Sequence, residues 1–113
     1  MTTAGLFDVL WGELAEVLGT AATSTLLRRA VKRASAHAPE LSELSIYREG
    51  LDHRYAVPHG WHGDTDTHSA LRALIRELCP LLVEMTGAVV VRRLLRINEF
   101  QRWGLLAAEE DQP

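Results

Sequence analysis

The residues best suited to chemistry lie together in the middle of the chain, where positions 53–68 hold four of the five histidines. Imidazole and carboxylate groups are the usual protein ligands of zinc and similar divalent ions. The spacing H-x2-H-x-D-x-D-x-H runs through His59, His62, Asp64, Asp66 and His68, and it lets a flexible loop fold around one ion. We therefore predict a divalent metal site, with zinc as the typical ion, at His59, His62, Asp64 and His68; otherwise no cofactor is expected. The alternative is a solvated loop with ordinary turn chemistry.

Three large aromatic side chains near this loop are the candidates for contact with a partner protein. Tyr47 and Tyr55 lie in segments with strand-like alternation, and Trp61 lies in the polar loop itself. Nothing in the local sequence is expected to bury Trp61, and a loop tryptophan of this kind anchors contacts with a partner or covers a pocket. The alternative is that Trp61 folds back onto its own hairpin.

A catalytic role would need groups that the sequence does not place side by side. His53 could act as a general base in a pocket that also contains Tyr55 and either Glu77 or Glu84, with a dimer seam as its location. No nucleophile motif, glycine-rich phosphate loop or paired CxxC occurs in the sequence. The sequence therefore leans away from an enzyme.

Charge and cysteine content narrow the function classes further. The 113 residues carry 12 basic and 15 acidic side chains, for a formal net charge of −3, so a dedicated nucleic-acid binder is not expected. The single cysteine, Cys79, allows no intrachain disulfide, which favours a reducing cytoplasm. Neither a secretory signal nor a membrane span is expected. We predict one domain over 1–113, with a core at about 5–106 and a frayed acidic tail at 107–113.

Helical periodicity surrounds the loop on both sides. Apolar residues recur every three or four positions in 6–18 and 20–37, and Gly19 is placed to end the first helix while Thr20 caps the second. A third helix follows the loop, with Asp66 or Thr67 as its cap, and Pro80 is expected to kink it or split it near Cys79. Segment 88–97 could be a strand by its valines, but its full periodicity favours a helix. A short helical turn around Phe100 ends the pattern.

Between the second and third helices, segments 44–49 and 51–57 alternate as two strands, with Glu49 and Gly50 as the predicted turn. The fold class is therefore α+β, mostly α, with four main helices and one antiparallel hairpin inserted between helices 2 and 3, in the order α-α-β-β-α-α. Two strands alone are marginal in water. The hairpin must pack on the helices or pair with another copy, which would give a four-stranded sheet across a two-fold axis.

These observations lead to a non-catalytic regulatory or adaptor module that binds another protein, with homodimerisation and the hairpin and loop surface as its means. The alternatives are a small metal- or ligand-sensing domain that uses loop 59–68, and a small enzyme with its site at a dimer seam. The segments L-W-G-E-L-A-E-V-L-G-T-A-A-T and E-L-C-P-L-L-V-E-M-T-G resemble small bacterial regulatory domains in general character, without the motif of a particular family.

Overall fold

The computed structural model describes residues 2–63 and 67–105, and its elements follow the predicted order of two helices, a hairpin and further helices. Two short 3₁₀ turns, Pro39–Glu43 and His59–His62, lie before and after the hairpin. In chain order the helices and strands are α1 (Thr3–Leu18), α2 (Thr20–Ala34), β1 (Ser45–Glu49), β2 (Asp52–Ala56), α3 (Ser69–Thr86), α4 (Val89–Leu95) and α5 (Asn98–Arg102).

A single glycine joins α1 to α2. Gly19 has φ +84°, which an L side chain rarely adopts, and its amide donates to the carbonyl of Ala15 at 2.8 Å. Gly19 is also the residue that precedes α2, so the predicted cap at Thr20 is wrong: Thr20 is already helical. At the other end of α1, the side chain of Thr2 accepts a hydrogen bond from the amide of Gly5 at 3.1 Å, which starts the helix three residues earlier than predicted.

The hairpin is a two-residue turn with two five-residue strands. Glu49 pairs with Asp52, so Gly50 and Leu51 form the turn, one position later than predicted. Gly50 has φ +64°, whereas Leu51 is not among the described residues with positive φ; this is the pattern of a type II′ turn, with glycine first. In this register Ile46 lies opposite Tyr55 on the face that packs against the core.

Helix α3 runs without a break through Pro80, so the predicted split near Cys79 does not occur. Pro80 is exposed, and the turns on both sides of it are held by buried leucines such as Leu78 and Leu81, which offset the loss of one backbone hydrogen bond. The residue that precedes α3 is His68 rather than Thr67; Asp66 lies outside the described residues.

The segment that could have been strand or helix is helical. Helix α3 ends at Gly87, which has φ +69°, and α4 then buries Val90 and Leu94. The helical periodicity of this segment therefore decides its structure over the strand preference of its valines. Burial of one apolar side of α4 stabilises the helix more than the low helix propensity of the valines destabilises it. The short final helix around Phe100 is confirmed, and Phe100 is fully buried.

The core lies between α1, α2 and α3. The segment just after α2 (37–40) and the beginning of α3 line one cleft, and α2 packs along α3, so these two helices run antiparallel. Their facing stripes, with that of α1, supply most of the fully buried side chains: Leu6, Phe7, Leu10, Leu14, Leu27, Leu71, Leu74, Ile75 and Leu78.

Among the described residues, no helix combines the length and apolar character that crossing a membrane requires.

Candidate functional site

The inner face of the hairpin is attached to α1 through Tyr55. The Tyr55 ring lies 4.9 Å from the ring of Phe7 in an edge-on arrangement and 4.8 Å from that of Trp11. The Tyr55 hydroxyl donates to the carboxylate of Asp8. Burial, and then the hydrogen bond and charge of Asp8, raise the pKa of Tyr55. The chain's own helices therefore shelter this face, which is one of the two arrangements that a two-stranded hairpin requires.

The outer face and both edges of the hairpin are open among the described residues. Tyr47 is 40 % exposed and Leu51, at the tip, is 87 % exposed. The two strands form a two-stranded sheet, so each has one edge without a neighbouring strand in the described part of the chain. Of the aromatic residues proposed to bind a partner, Tyr47 alone lies on this open side; Tyr55 lies on the inner face.

Exposed charges lie across the outer face. The Nε of Arg54 is 3.0 Å from Glu49 and its Nη2 is 3.8 Å from Asp52, with all three side chains more than half exposed. Such ion pairs contribute little to stability. Short edge strands with charged side chains disfavour nonspecific strand pairing. Any association at an edge of this hairpin must therefore occur in one specific register.

Trp61 lies in the core, where residues distant in the sequence bury it. Its exposed fraction is 0 %, and its ring lies 5.9 Å from that of Phe7. The indole Nε1 donates to the carboxylate of Glu40 at 2.7 Å. The partners come from α1 and from the 3₁₀ turn before the hairpin, which sequence distance hides. Trp61 therefore has no surface to offer a partner.

The predicted metal ligands are divided between surface and interior. His59 and His62 are exposed on the second 3₁₀ turn, whereas His68 is only 4 % exposed. A hydrogen bond joins His68 Nδ1 to Thr3 Oγ1 over 2.5 Å. Asp64 lies outside the described residues, as does Asp66. Within 2–63 and 67–105, no three histidine, cysteine or carboxylate side chains lie close enough to share an ion.

His68 connects three distant parts of the fold. Its ring meets Trp103 edge-on at 4.9 Å, and its partner Thr3 is fully buried in the first turn of α1. His68 is also the one described residue other than glycine with positive φ, at +65°, a conformation that histidine tolerates better than most residues. These contacts indicate that His68 closes the loop onto the core.

His53, the candidate general base, is half-buried in β2 of the hairpin. Its Nδ1 is buried without a hydrogen-bond partner among the described residues, and its strand neighbour across the sheet is Arg48. Of the two carboxylates considered with it, Glu77 is half-buried on α3 and Glu84 is exposed.

A basic cleft of about 430 Å³ lies between the segment that follows α2 and the beginning of α3. Its lining includes His37, Glu40, Ser69, Arg72 and Arg76. Sequence analysis missed this cleft because its two sides, 37–40 and 69–76, are about 30 positions apart in the chain. The available signal was the four-residue spacing of Arg72 and Arg76, which places both on one side of α3.

The fold is a mostly helical α+β arrangement with a two-stranded hairpin sheltered on one face. No family model, curated protein or solved structure matches the chain at a significant level, so its function has to be argued from geometry.

Proposed function

We propose that this protein is a non-catalytic interaction module that pairs with a second copy of itself through the edge of β1, and presents the combined hairpins to a regulatory partner protein. A reducing cytoplasm is the proposed setting, because one cysteine allows no intrachain disulfide.

The observation that carries the proposal is the row of backbone groups at the edge of β1. A two-residue turn is closed by a hydrogen-bonded pair, here Glu49 with Asp52, and such pairs alternate along an antiparallel ladder. The amide and carbonyl groups of Ile46 and Arg48 therefore point away from β2. No described backbone group pairs with them. A second strand would satisfy all four groups at once.

Cross-strand chemistry favours the edge of β1 over the edge of β2. With full overlap across a two-fold axis, β1 would place Tyr47 opposite the partner's Tyr47, and an aromatic pair of this kind is stabilising. The same arrangement for β2 would place two copies of Arg54 opposite each other, and like charges in that position are destabilising. Both Tyr47 side chains would then lie on the open face, away from the helices.

Disulfide trapping tests this register directly. In the proposed register the two copies of residue 47 form a non-hydrogen-bonded pair, with Cα atoms about 4.5 Å apart, which suits a disulfide. In a Cys79→Ala background, Tyr47→Cys should give a covalent dimer under mild oxidation. The matched control Arg54→Cys, at the centre of β2, should remain largely uncrosslinked.

Analytical ultracentrifugation of proline variants tests the backbone contacts. Arg48→Pro deletes one outward amide without touching the pairing to β2, and it should raise the dimer dissociation constant by roughly tenfold or more, given that each 1.4 kcal/mol is a factor of ten. Arg48→Ala keeps that amide and should associate as the wild type does. A wild-type protein that remains monomeric at about 100 µM, well above the range of stable homodimers, would overturn the proposal.

A surface metal site is the second candidate, and one observation favours it. His59 and His62 are exposed and three residues apart on a 3₁₀ turn, where side chains at this spacing lie over one another. Zinc bound there, with Asp64 as a further ligand, would raise the melting temperature by mass action. His59→Ala with His62→Ala should abolish that rise, whereas His37→Ala, at an exposed histidine elsewhere, should keep it. An unchanged wild-type melting temperature in zinc would refute this second candidate.

A further inference from the structure

The basic cleft has an excess of positive charge. It is lined by two guanidinium groups, Arg72 and Arg76, and by one carboxylate, Glu40, whose Oε2 already accepts the indole hydrogen bond from Trp61. Arg76 is exposed and makes no ion pair with the described acids. The cleft therefore suits an acidic ligand, and arginine suits carboxylates in particular because its fork of donors matches their two oxygens.

The positive surface continues from the cleft along α2. His37 lines the cleft just after this helix, and Arg33 lies in the last turn of the helix, four positions earlier. No acidic residue occurs in α2, and its four basic side chains are all exposed. An acidic segment seated in the cleft would thus meet a cationic surface that extends beyond the two arginines of α3.

The path of the chain brings an acidic segment to this cleft. Arg72 donates from Nη2 to the carbonyl of Trp103 at 2.8 Å and from Nε to that of Gly104 at 3.3 Å. The described chain thus ends at the buried Leu105, beside a residue of the cleft itself. Residues 106–113 lie outside the described part and carry three consecutive acids at 109–111.

We propose that the acidic segment Glu109–Asp111 binds in this cleft, in the same chain, with Arg76 as its main ion-pair partner. Glu109 is four positions beyond Leu105, and four steps along the chain can span up to about 14 Å. Arg76 lies one helical turn beyond Arg72, a rise of about 6 Å. The segment can therefore reach Arg76.

The covalent link between the acidic segment and the rest of the chain determines whether its solvent-exposed contact with Arg76 forms. Solvent-exposed ion pairs are individually weak and would not hold a free peptide tightly. A short linker, however, gives the segment an effective concentration in the millimolar range, which is enough for a weak contact to form. Because the charges are exposed, the contact should loosen as salt is raised, with screening over about 8 Å at 0.15 M ionic strength. The segment would then compete with any external acidic peptide for the cleft.

Amide chemical shifts of the full chain test the proposal. Replacing the three acids (Glu109→Gln, Glu110→Gln and Asp111→Asn) should shift the amides of Ser69 to Arg76 and of His37, and raised salt should produce the same shifts in the wild type. Arg76→Glu should move the amides of 109–111. The matched control is Arg96→Glu, which reverses the charge of an exposed arginine that follows α4 and does not line the cleft. This variant should leave the amide shifts of 109–111 unchanged.

A peptide of residues 107–113, added in trans, provides the second readout. The cleft of the triple variant should bind it at least tenfold more tightly than that of the wild type, whose own segment competes. Arg76→Glu should abolish the binding. Equal affinity of the peptide for the wild type and the triple variant would overturn the proposal. So would amide shifts of the cleft residues that change neither with the triple substitution nor with salt. Either result would leave a basic cleft that this segment does not occupy.

Discussion

The hairpin and the loop that follows it differ sharply in how the fold uses them. Both are short polar segments with aromatic and histidine residues, yet the hairpin keeps Tyr47 and Leu51 exposed, whereas the loop buries Trp61 and His68. The strand pattern of the hairpin is local, so the side of each residue follows from its neighbours. The partners of the loop residues are distant: Glu40 is 21 positions from Trp61, and Thr3 is 65 positions from His68. Composition therefore identified the loop as chemically rich without showing that Trp61 and His68 belong to the core.

The largest effect is expected from removal of the buried Trp61 indole, which tests whether the loop contributes to the core. Trp61→Ala should lower the free energy of unfolding by about 3–5 kcal/mol, because it leaves a large cavity in the core and removes the hydrogen bond to Glu40. Trp61→Phe keeps most of the packing and should cost about half as much, since it loses chiefly the hydrogen bond. Urea denaturation measures both. A change below about 1 kcal/mol for Trp61→Ala would mean that the indole is not in the core.

The next effect in size concerns the anchor between His68 and Thr3. Thr3→Val preserves the shape of the buried side chain but removes its hydroxyl, and it should cost about 1–3 kcal/mol because a buried hydrogen bond is lost. Thr2→Val, one residue earlier and not buried, is a useful comparison: it removes only a helix cap, worth about 1 kcal/mol. Equal losses from both variants in thermal denaturation would contradict the anchoring role of Thr3.

Within the hairpin, Tyr55 should show a smaller effect with a pH signature. Tyr55→Phe removes the hydroxyl that donates to Asp8 and should cost about 1 kcal/mol at neutral pH. The pKa of Tyr55 is raised from 10.0 in the folded chain, so the unfolded phenol ionises first. The wild type should therefore keep this contribution below about pH 10 and lose it progressively at higher pH. Tyr55→Phe should lack this pH-dependent loss of stability, and equilibrium unfolding from pH 8 to pH 11 can measure the difference. If the free energies of unfolding of the two proteins change with pH in the same way, Tyr55 makes no such contribution.

The smallest effect is expected on the open face. Tyr47→Ser should change the free energy of unfolding of the monomer by no more than about 0.5 kcal/mol, as is usual for surface substitutions. Measured at low protein concentration, a loss as large as that of Trp61→Ala would show that the outer face is packed. If Tyr47→Ser is less stable than the wild type only at high protein concentration, the difference would instead indicate the proposed pairing of β1.

The sequence by itself determined the order and type of the elements. The periodicities of α1, α2 and α3, the alternation in β1 and β2, and the helix at 88–97 were all predicted, and the structure has them. These features depend on residues within a few positions of one another. The cap at Thr20 and the turn at Glu49 were each wrong by one boundary position, and the split near Pro80 does not occur; none of these details changes the fold.

Tertiary structure alone decided which polar and aromatic residues are available for function. It buried Trp61 and His68 in the core and left Tyr47 and the backbone edge of β1 exposed. It also brought the segment after α2 and the beginning of α3 together as a basic cleft. The physical reason is the range of the contacts. A side chain's burial depends on partners that the fold brings from far along the chain, and no local pattern of residue types contains that information.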